Sequence, residues 1–123
     1  MMEIKHLKKG SYIMHKGEPA LIKAMGLVVT GTHSHGKMKL DVQGIFSKTN
    51  DSFTLPLHER VEEAEITRKL GQLLSRNLNH GQVMDMQSYE TFDSEIEEGV
   101  NAAEGDEVTF IEHQGKALVV EKR

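Results

Sequence analysis

Length, charge and composition limit what this chain can be. Its 123 residues suffice for one ordinary domain or two very small ones. Fifteen Lys and Arg against nineteen Asp and Glu leave a net charge of −4, which does not suit a protein that coats nucleic acid with its whole surface. It has no cysteine, which excludes disulfides and sulfur-bound zinc, and no apolar run long enough for a signal peptide or a bilayer span, so we expect a cytoplasmic protein with no membrane partner.

In chain order, short apolar runs alternate with turn residues through the first half, which predicts β-strands. The predicted strands are 11–15, 19–25, 27–30, 38–46 and 52–57. Pro56 places the last of them at a sheet edge or a strand end. Between the third and fourth, residues 30–37 read Thr-Gly-Thr-His-Ser-His-Gly-Lys, and their glycines and small polar side chains predict a protruding loop that is open to a partner.

The acidic, glycine-free segment 59–65 is the predicted boundary, so the expected domains are 1–64 and 65–123. The charge divides there as well. Nine basic and seven acidic residues precede the boundary, and six basic and twelve acidic residues follow it. Contacts with phosphate groups are therefore expected from the first domain.

The second half has the pattern of a five-stranded barrel of the OB type. The predicted strands are 66–76, 82–86, 89–92, 108–112 and 116–121. Ser94 and Glu97 have the spacing of a capping box, with Ile96, Val100 and Ala103 following at helical intervals. This pattern predicts one short helix before the last two strands.

The loop at 30–37 resembles a loop of the translation initiation factor 5A family, which is related to bacterial elongation factor P. That loop reads Thr-Gly-Lys-His-Gly-His-Ala-Lys in the family, and this chain matches it at Thr30, Gly31, His33, His35 and Lys37. Other similar segments are Lys9-Gly10-Ser11-Tyr12-Ile13, Gly17-Glu18-Pro19, Gly44-Ile45-Phe46 and Gln82-Val83-Met84-Asp85-Met86-Gln87-Ser88-Tyr89-Glu90-Thr91-Phe92. The resemblance covers nearly the whole chain and implies an all-β fold, an N-terminal SH3-like barrel followed by a C-terminal OB-fold.

The resemblance also implies a function. Members of the family bind the ribosome beside tRNA and promote peptide-bond formation, so residues 30–37, including Ser34 and Gly36, are expected to face tRNA or rRNA. Further candidate RNA contacts are Lys8, Lys9, Lys23 and Lys39. In the family, the lysine at the loop tip is converted to hypusine by transfer of an aminobutyl group from spermidine. Here Thr32 occupies that position, so we do not expect deoxyhypusine synthase to modify this chain.

The sequence also allows other functions. The chain is alternatively a diverged paralogue that acts outside translation as a structural, self-assembling or RNA-binding protein. His33 and His35 have an H-x-H spacing that can bind metal, but no suitable glutamate or cysteine follows, so no metal site and no cofactor are expected. No serine or threonine is flanked by a base and an orienting acid, so we expect no catalytic residue and no enzyme.

The aromatic residues of the second half allow two interpretations. Phe92, Phe110 and Tyr89 are candidate stacking platforms for bases, as on OB-folds that bind nucleic acid. Because that half is acidic, we expect them to pack in a core instead.

Overall fold

The structure is a computed structural model that describes residues 2–29 and 36–123, and strands dominate it. The strands are β1 Met2–Glu3, β2 Tyr12–His15, β3 Glu18–Val28, β4 Lys37–Gly44, β5 Asn50–Pro56, β6 Arg60–Val61, β7 Arg68–Asn77, β8 His80–Asp85, β9 Thr91–Ile96, β10 Glu107–His113 and β11 Lys116–Lys122. In the described ranges, one 3-10 turn, Ile4–His6, is the only helical element. The predicted all-β class is confirmed.

The chain divides into two compact units, Met1–Glu65 and Ile66–Arg123. The first unit is the SH3-like half, built on an antiparallel sheet in the order β2-β3-β4-β5 with a small β1-β6 sheet beside it. Alternation along β4 buries Leu40 and Val42 and turns Lys39 and Asp41 outward. The buried core of this unit consists of Ile4, Leu7, Ile13, Ala20, Ile22, Leu40 and Val42.

Strand β3 contains a bulge. Its register with β4 shifts between Ile22 and Ala24, so that Lys23 is an extra, exposed residue. The sequence predicted a break at Gly26, but Gly26 lies inside β3 opposite Lys39. The ladder with β4 supplies the hydrogen bonds that keep a glycine in a strand, and two predicted strands thus form one.

The second unit is a closed five-stranded barrel in the order β10-β11-β9-β8-β7, with β10 returning to β7. Strands β9 and β11 are parallel, and the other neighbours are antiparallel. The core consists of Leu73, Val83, Ile96, Ala102, Val108, Phe110, Ala117 and Val119. Gly71 leaves room for this packing, because a Cβ there would lie 2.7 Å from both Phe110 and Val83. The predicted OB-type barrel is confirmed.

The short helix predicted after Ser94 is wrong. Ser94 and Ile96 are alternate inward residues of β9, and residues 97–106 form turns with no helix. The Ser94 hydroxyl donates to the carbonyl of Glu95 at 2.7 Å rather than capping a helix. Gly99 has a φ of +89°, which is incompatible with a continuing right-handed helix. The three-residue spacing of Ser94 and Glu97 therefore joins a residue inside β9 to one just after its end, and does not mark a helix N-terminus.

A side chain from β7 fixes this turn segment. Arg76 donates from Nη1 to the carbonyl oxygens of Val100 at 2.8 Å and Ala102 at 2.7 Å, and from Nε to that of Leu78 at 2.8 Å. The carbonyl oxygens of Val100 and Ala102 thus accept hydrogen bonds from a guanidinium and not from the backbone amides of a helix. The segment therefore takes its shape from a residue 24 positions away from Val100.

We expect Arg76→Met to lower the free energy of unfolding by about 2 kcal/mol, because the carbonyls of Val100 and Ala102 lose a charged donor while part of the aliphatic stem is retained. Urea unfolding measures the change. Arg68→Met, at the exposed first residue of the same strand, is the matched control and should change it by less than about 0.5 kcal/mol. Equal effects of the two substitutions would contradict this role for Arg76.

Candidate functional site

The end of the β3–β4 hairpin leads into residues 30–35, and we call its residues 25–29 and 36–40 the arm. Leu27 pairs with Met38, and Val28 pairs with Lys37, so the ladder ends one residue before segment 30–35 on each side. The side chains of the arm become more exposed from its base at Leu40 towards segment 30–35. Leu27 is 62% exposed and Val29 61%, whereas Leu40 at the base is fully buried. The arm therefore extends beyond the core of its unit.

Most residues of the predicted ribosome-facing loop lie outside the described residues. These are Thr30, Gly31, Thr32, His33, Ser34 and His35, and their assignments stay predictions. Gly36 and Lys37 are described. Lys37 is exposed and is the first residue of β4, so it belongs to the arm.

The two faces of the arm differ in chemistry. Residues opposite one another on paired strands share a face. Lys37 and Lys39 are exposed on one face. On the other, Leu27 and Met38 lie opposite each other and Leu55 of β5 is the next partner, which extends the apolar stripe of the core. The arm thus offers a cationic face suited to phosphate and an apolar face.

The other candidate RNA contacts lie nearer the base of β3. Lys8 and Lys9 are exposed in the turn before β2. Hydrogen bonds from Gly10 N to Ile22 O and from Ile22 N to Ser11 O, both 2.9 Å, place that turn beside the bulge at Lys23. The structure brings Lys8, Lys9 and Lys23 to one region, while Lys37 and Lys39 lie further along the hairpin.

A charged cluster that sequence reasoning missed lies at the opposite end of the same sheet. Asp51 Oδ2 lies 2.7 Å from His15 Nε2 and 3.1 Å from Lys16 Nζ. The His15 ring stacks on Phe53 with centroids 4.9 Å apart. The hydrogen bond from His15, with those from Lys16 and the Ser52 amide, lowers the pKa of Asp51 to about 2. The cluster joins the β2–β3 turn to β5.

Beside it, two of the segments that resemble the family contact each other. Glu18 Oε1 accepts hydrogen bonds from the amides of Phe46 at 2.9 Å and Ser47 at 3.0 Å, and Ile45 N donates to Pro19 O at 3.0 Å. A Cβ at Gly44 would overlap the Glu18 carboxylate, so only glycine fits there without displacing it. The segments Gly17-Glu18-Pro19 and Gly44-Ile45-Phe46 therefore share one structural purpose, which is to close the β4–β5 turn.

Neither a metal-ligand group nor a membrane-spanning helix is present in the described part of the chain. No three His, Asp or Glu residues within 2–29 and 36–123 are grouped to bind a metal ion. No helix in those ranges is long and apolar enough to cross a membrane. The H-x-H pair, His33 and His35, lies outside them.

The aromatic residues of the second unit are not arranged as a platform. Phe110 is fully buried, and Phe92 packs against the core with its ring centroid 6.0 Å from that of Phe110. Tyr89 is 70% exposed, in a turn where its φ is 63°, contrary to the core position expected for it. The acidic residues Asp85 and Glu90 are close to Tyr89 in this turn, which does not favour contact with phosphate.

We expect Asp51→Asn to lower the free energy of unfolding at neutral pH, and the difference from the parent to disappear in acid. The folded-state pKa is depressed from 3.8 to about 2, so folding favours the ionised carboxylate. This stabilisation is fully present above pH 3.8 and is lost as the pH falls through about 2. Urea unfolding of both proteins across this range measures it. The lowered pKa values of Asp85 and Asp106 affect both proteins and cancel in the difference. A difference that is unchanged at the acid end would contradict the assignment.

Known proteins resemble this chain over nearly its whole length, although no family model matches it. It is 36% identical over 123 residues to translation initiation factor 5A of Desulfurococcus amylolyticus, covering 96% of this chain and 93% of the relative. The corresponding protein of Halorubrum lacusprofundi is 31% identical over 118 residues, covering 96% and 94%.

Solved structures show the same relationship. The 5A factor of Methanococcus jannaschii superposes with a TM-score of 0.85 at 32% identity, covering 99% of this chain and 92% of that one. A 5A-family protein of Naegleria fowleri has a TM-score of 0.69 at 20% identity over 99% and 96%, and supports the fold alone. With relatives above 30% identity across almost the entire length, the chain belongs to the translation initiation factor 5A family.

Proposed function

We propose that this protein is a translation factor that binds the ribosome and tRNA in the cytoplasm and promotes peptide-bond formation without hypusine. The observation that carries the proposal is the family relationship along the whole chain, combined with a threonine at the position of the modified lysine. In this proposal, residues 1–64 act as the translation-factor domain with the exposed loop 30–37, and residues 65–123 act as the OB-fold domain. The protein is a binding factor rather than an enzyme, consistent with the names of its relatives.

The side chain at position 32 decides the chemistry of the loop. Hypusine forms on a lysine amine, and the Thr32 hydroxyl is short, uncharged at neutral pH and unable to carry the aminobutyl group in that linkage. The long cation of the family is therefore missing. In its place we propose that His33, His35 and Lys37 contact RNA, with Lys39 adding charge on the arm.

The charges near the loop support contact with RNA. Lys37 and Lys39 are both exposed on one face of the arm, and the first unit has a basic balance, whereas the second is acidic. Each lysine that neutralises a phosphate releases counterions, so affinity should fall as salt rises. The apolar side chains of the arm, Leu27, Val28 and Val29, are available to contact ribose and base surfaces.

We expect the double substitution Lys37→Ala, Lys39→Ala to weaken co-sedimentation with ribosomes and to reduce the slope of log affinity against log salt by about one for each lysine. Lys116→Ala is the control, since Lys116 is exposed in the β10–β11 hairpin of the acidic unit. That variant should bind like the parent. If the parent fails to bind ribosomes at low salt and instead assembles with itself in light scattering, the non-translational alternative is correct.

We expect deoxyhypusine synthase, supplied with labelled spermidine, to leave the parent unlabelled, because its loop offers no lysine at position 32. Thr32→Lys restores that amine and should become labelled, whereas Thr32→Arg supplies a charge without the acceptor amine and should not. Mass spectrometry locates any label. Label on Lys37 of the parent would contradict the proposal that this protein acts without the modification.

A further inference from the structure

Gly36, the first described residue after segment 30–35, lies against two leucine side chains. A Cβ on Gly36 would be 2.9 Å from Leu57 Cδ1 and 3.4 Å from Leu27 Cδ1. Real Cβ contacts essentially never fall below 3.0 Å, so an alanine here would have to displace Leu57. Gly36 has no positive φ, so its backbone conformation does not require glycine, and the end of the Leu57 side chain occupies the space that an added methyl would take.

Leu57 also binds the backbone at this point. Its amide donates to the carbonyl of Gly36 at 3.3 Å, which continues the β4–β5 ladder one step beyond the pair Lys37 and Pro56. Strand β5 thereby holds the end of β4 where the chain returns from the loop. Leu27 approaches the same glycine from β3 on the other side.

Leu57 is in turn anchored to the core of the unit. Its carbonyl accepts from Lys5 N at 3.3 Å, and Glu59 O accepts from Ile4 N at 2.8 Å. Ile4 is fully buried. A continuous path of contacts therefore runs from the buried 3-10 turn through Leu57 to Gly36.

We propose that Leu57 is a positioning residue for the loop, holding Gly36 through a clasp formed by Gly36, Leu27 and Leu57. This inference rests on the proposed function, because the positioned loop is the proposed ribosome-binding element. Leu27 is 62% exposed, so the clasp adds little to the hydrophobic core. Its purpose is to fix the backbone at one end of the loop, which lowers the ordering cost of binding.

Gly36→Ala tests the clasp, and Gly26→Ala is its matched control. Both substitutions add one methyl to the same hairpin, but nothing lies within 4 Å of a Cβ on Gly26. Amide hydrogen exchange at Leu57 and Lys5 reports the clasp itself, and co-sedimentation reports ribosome binding. We expect Gly36→Ala to reduce protection of both amides and to weaken ribosome affinity about fivefold, the scale of coupling between contacting residues. The melting temperature should differ little from that of Gly26→Ala.

Leu57→Val provides the rescue, because it shortens the side chain that the added methyl at position 36 would meet. We expect the double variant Gly36→Ala, Leu57→Val to recover most of the affinity and the protection lost by Gly36→Ala alone. A purely destabilising effect of Leu57→Val would instead add to the loss caused by Gly36→Ala.

The outcomes separate the two proposals. If the parent does not bind ribosomes, the proposed function fails, and exchange at Leu57 alone decides whether the clasp exists. Equal exchange in Gly36→Ala and Gly26→Ala would overturn the clasp. Loss of protection without loss of affinity, in a parent that binds, would overturn the positioning role.

Discussion

Strand β3 continues past the hydrophobic core of its unit, and the candidate site is built on the residues that extend beyond that core. Its eleven residues begin with the buried Pro19, Ala20 and Ile22, and end with exposed residues up to Val28. The bulge at Lys23 separates the two parts while keeping the inward alternation in step with β4. Backbone pairing with β4 maintains the exposed part as a strand, although few buried side chains support it.

The first unit stabilises the two ends of this hairpin in different ways. At the end near β2, polar contacts dominate: Asp51 binds His15 and Lys16, and Glu18 binds the amides of the β4–β5 turn. At the arm, van der Waals contact at Gly36 and a single amide hydrogen bond from Leu57 replace them. Charged hydrogen bonds therefore hold one end of the hairpin, whereas apolar contact and one backbone hydrogen bond hold the other.

The resemblance to the family has two separable parts. Hydrogen bonds from the amides of Phe46 and Ser47 to Glu18 join two segments, 17–19 and 44–46, that are far apart in sequence and similar to the family. Thr32 lies outside the described residues and outside these two segments, and in the proposed function it stands in place of the modified lysine. The family relationship along the chain and the proposed loss of the modified lysine therefore concern different residues.

Much of the strand pattern and the fold class could be predicted from local sequence patterns. Alternation along β4, the turn residues and the chemical consequence of Thr32 are all readable from neighbouring residues, because strand period and side-chain chemistry are local properties. The all-β class and the OB-type barrel follow from the same signals. The helix predicted after Ser94 is wrong because Ser94 belongs to β9 and Arg76, from a distant strand, holds the carbonyls of Val100 and Ala102.

What the sequence by itself determined is thus the all-β strand pattern, the unequal charge of the two halves and the presence of a threonine at position 32. Only the tertiary structure decided the contacts between distant residues: Arg76 on the carbonyls of Val100 and Ala102, Glu18 on the amide of Phe46, and Leu57 on Gly36. In each case a side chain forms a hydrogen bond with, or packs against, a backbone group far along the chain. No local periodicity encodes such a partner, because the energy of the contact arises when folding brings the two groups together.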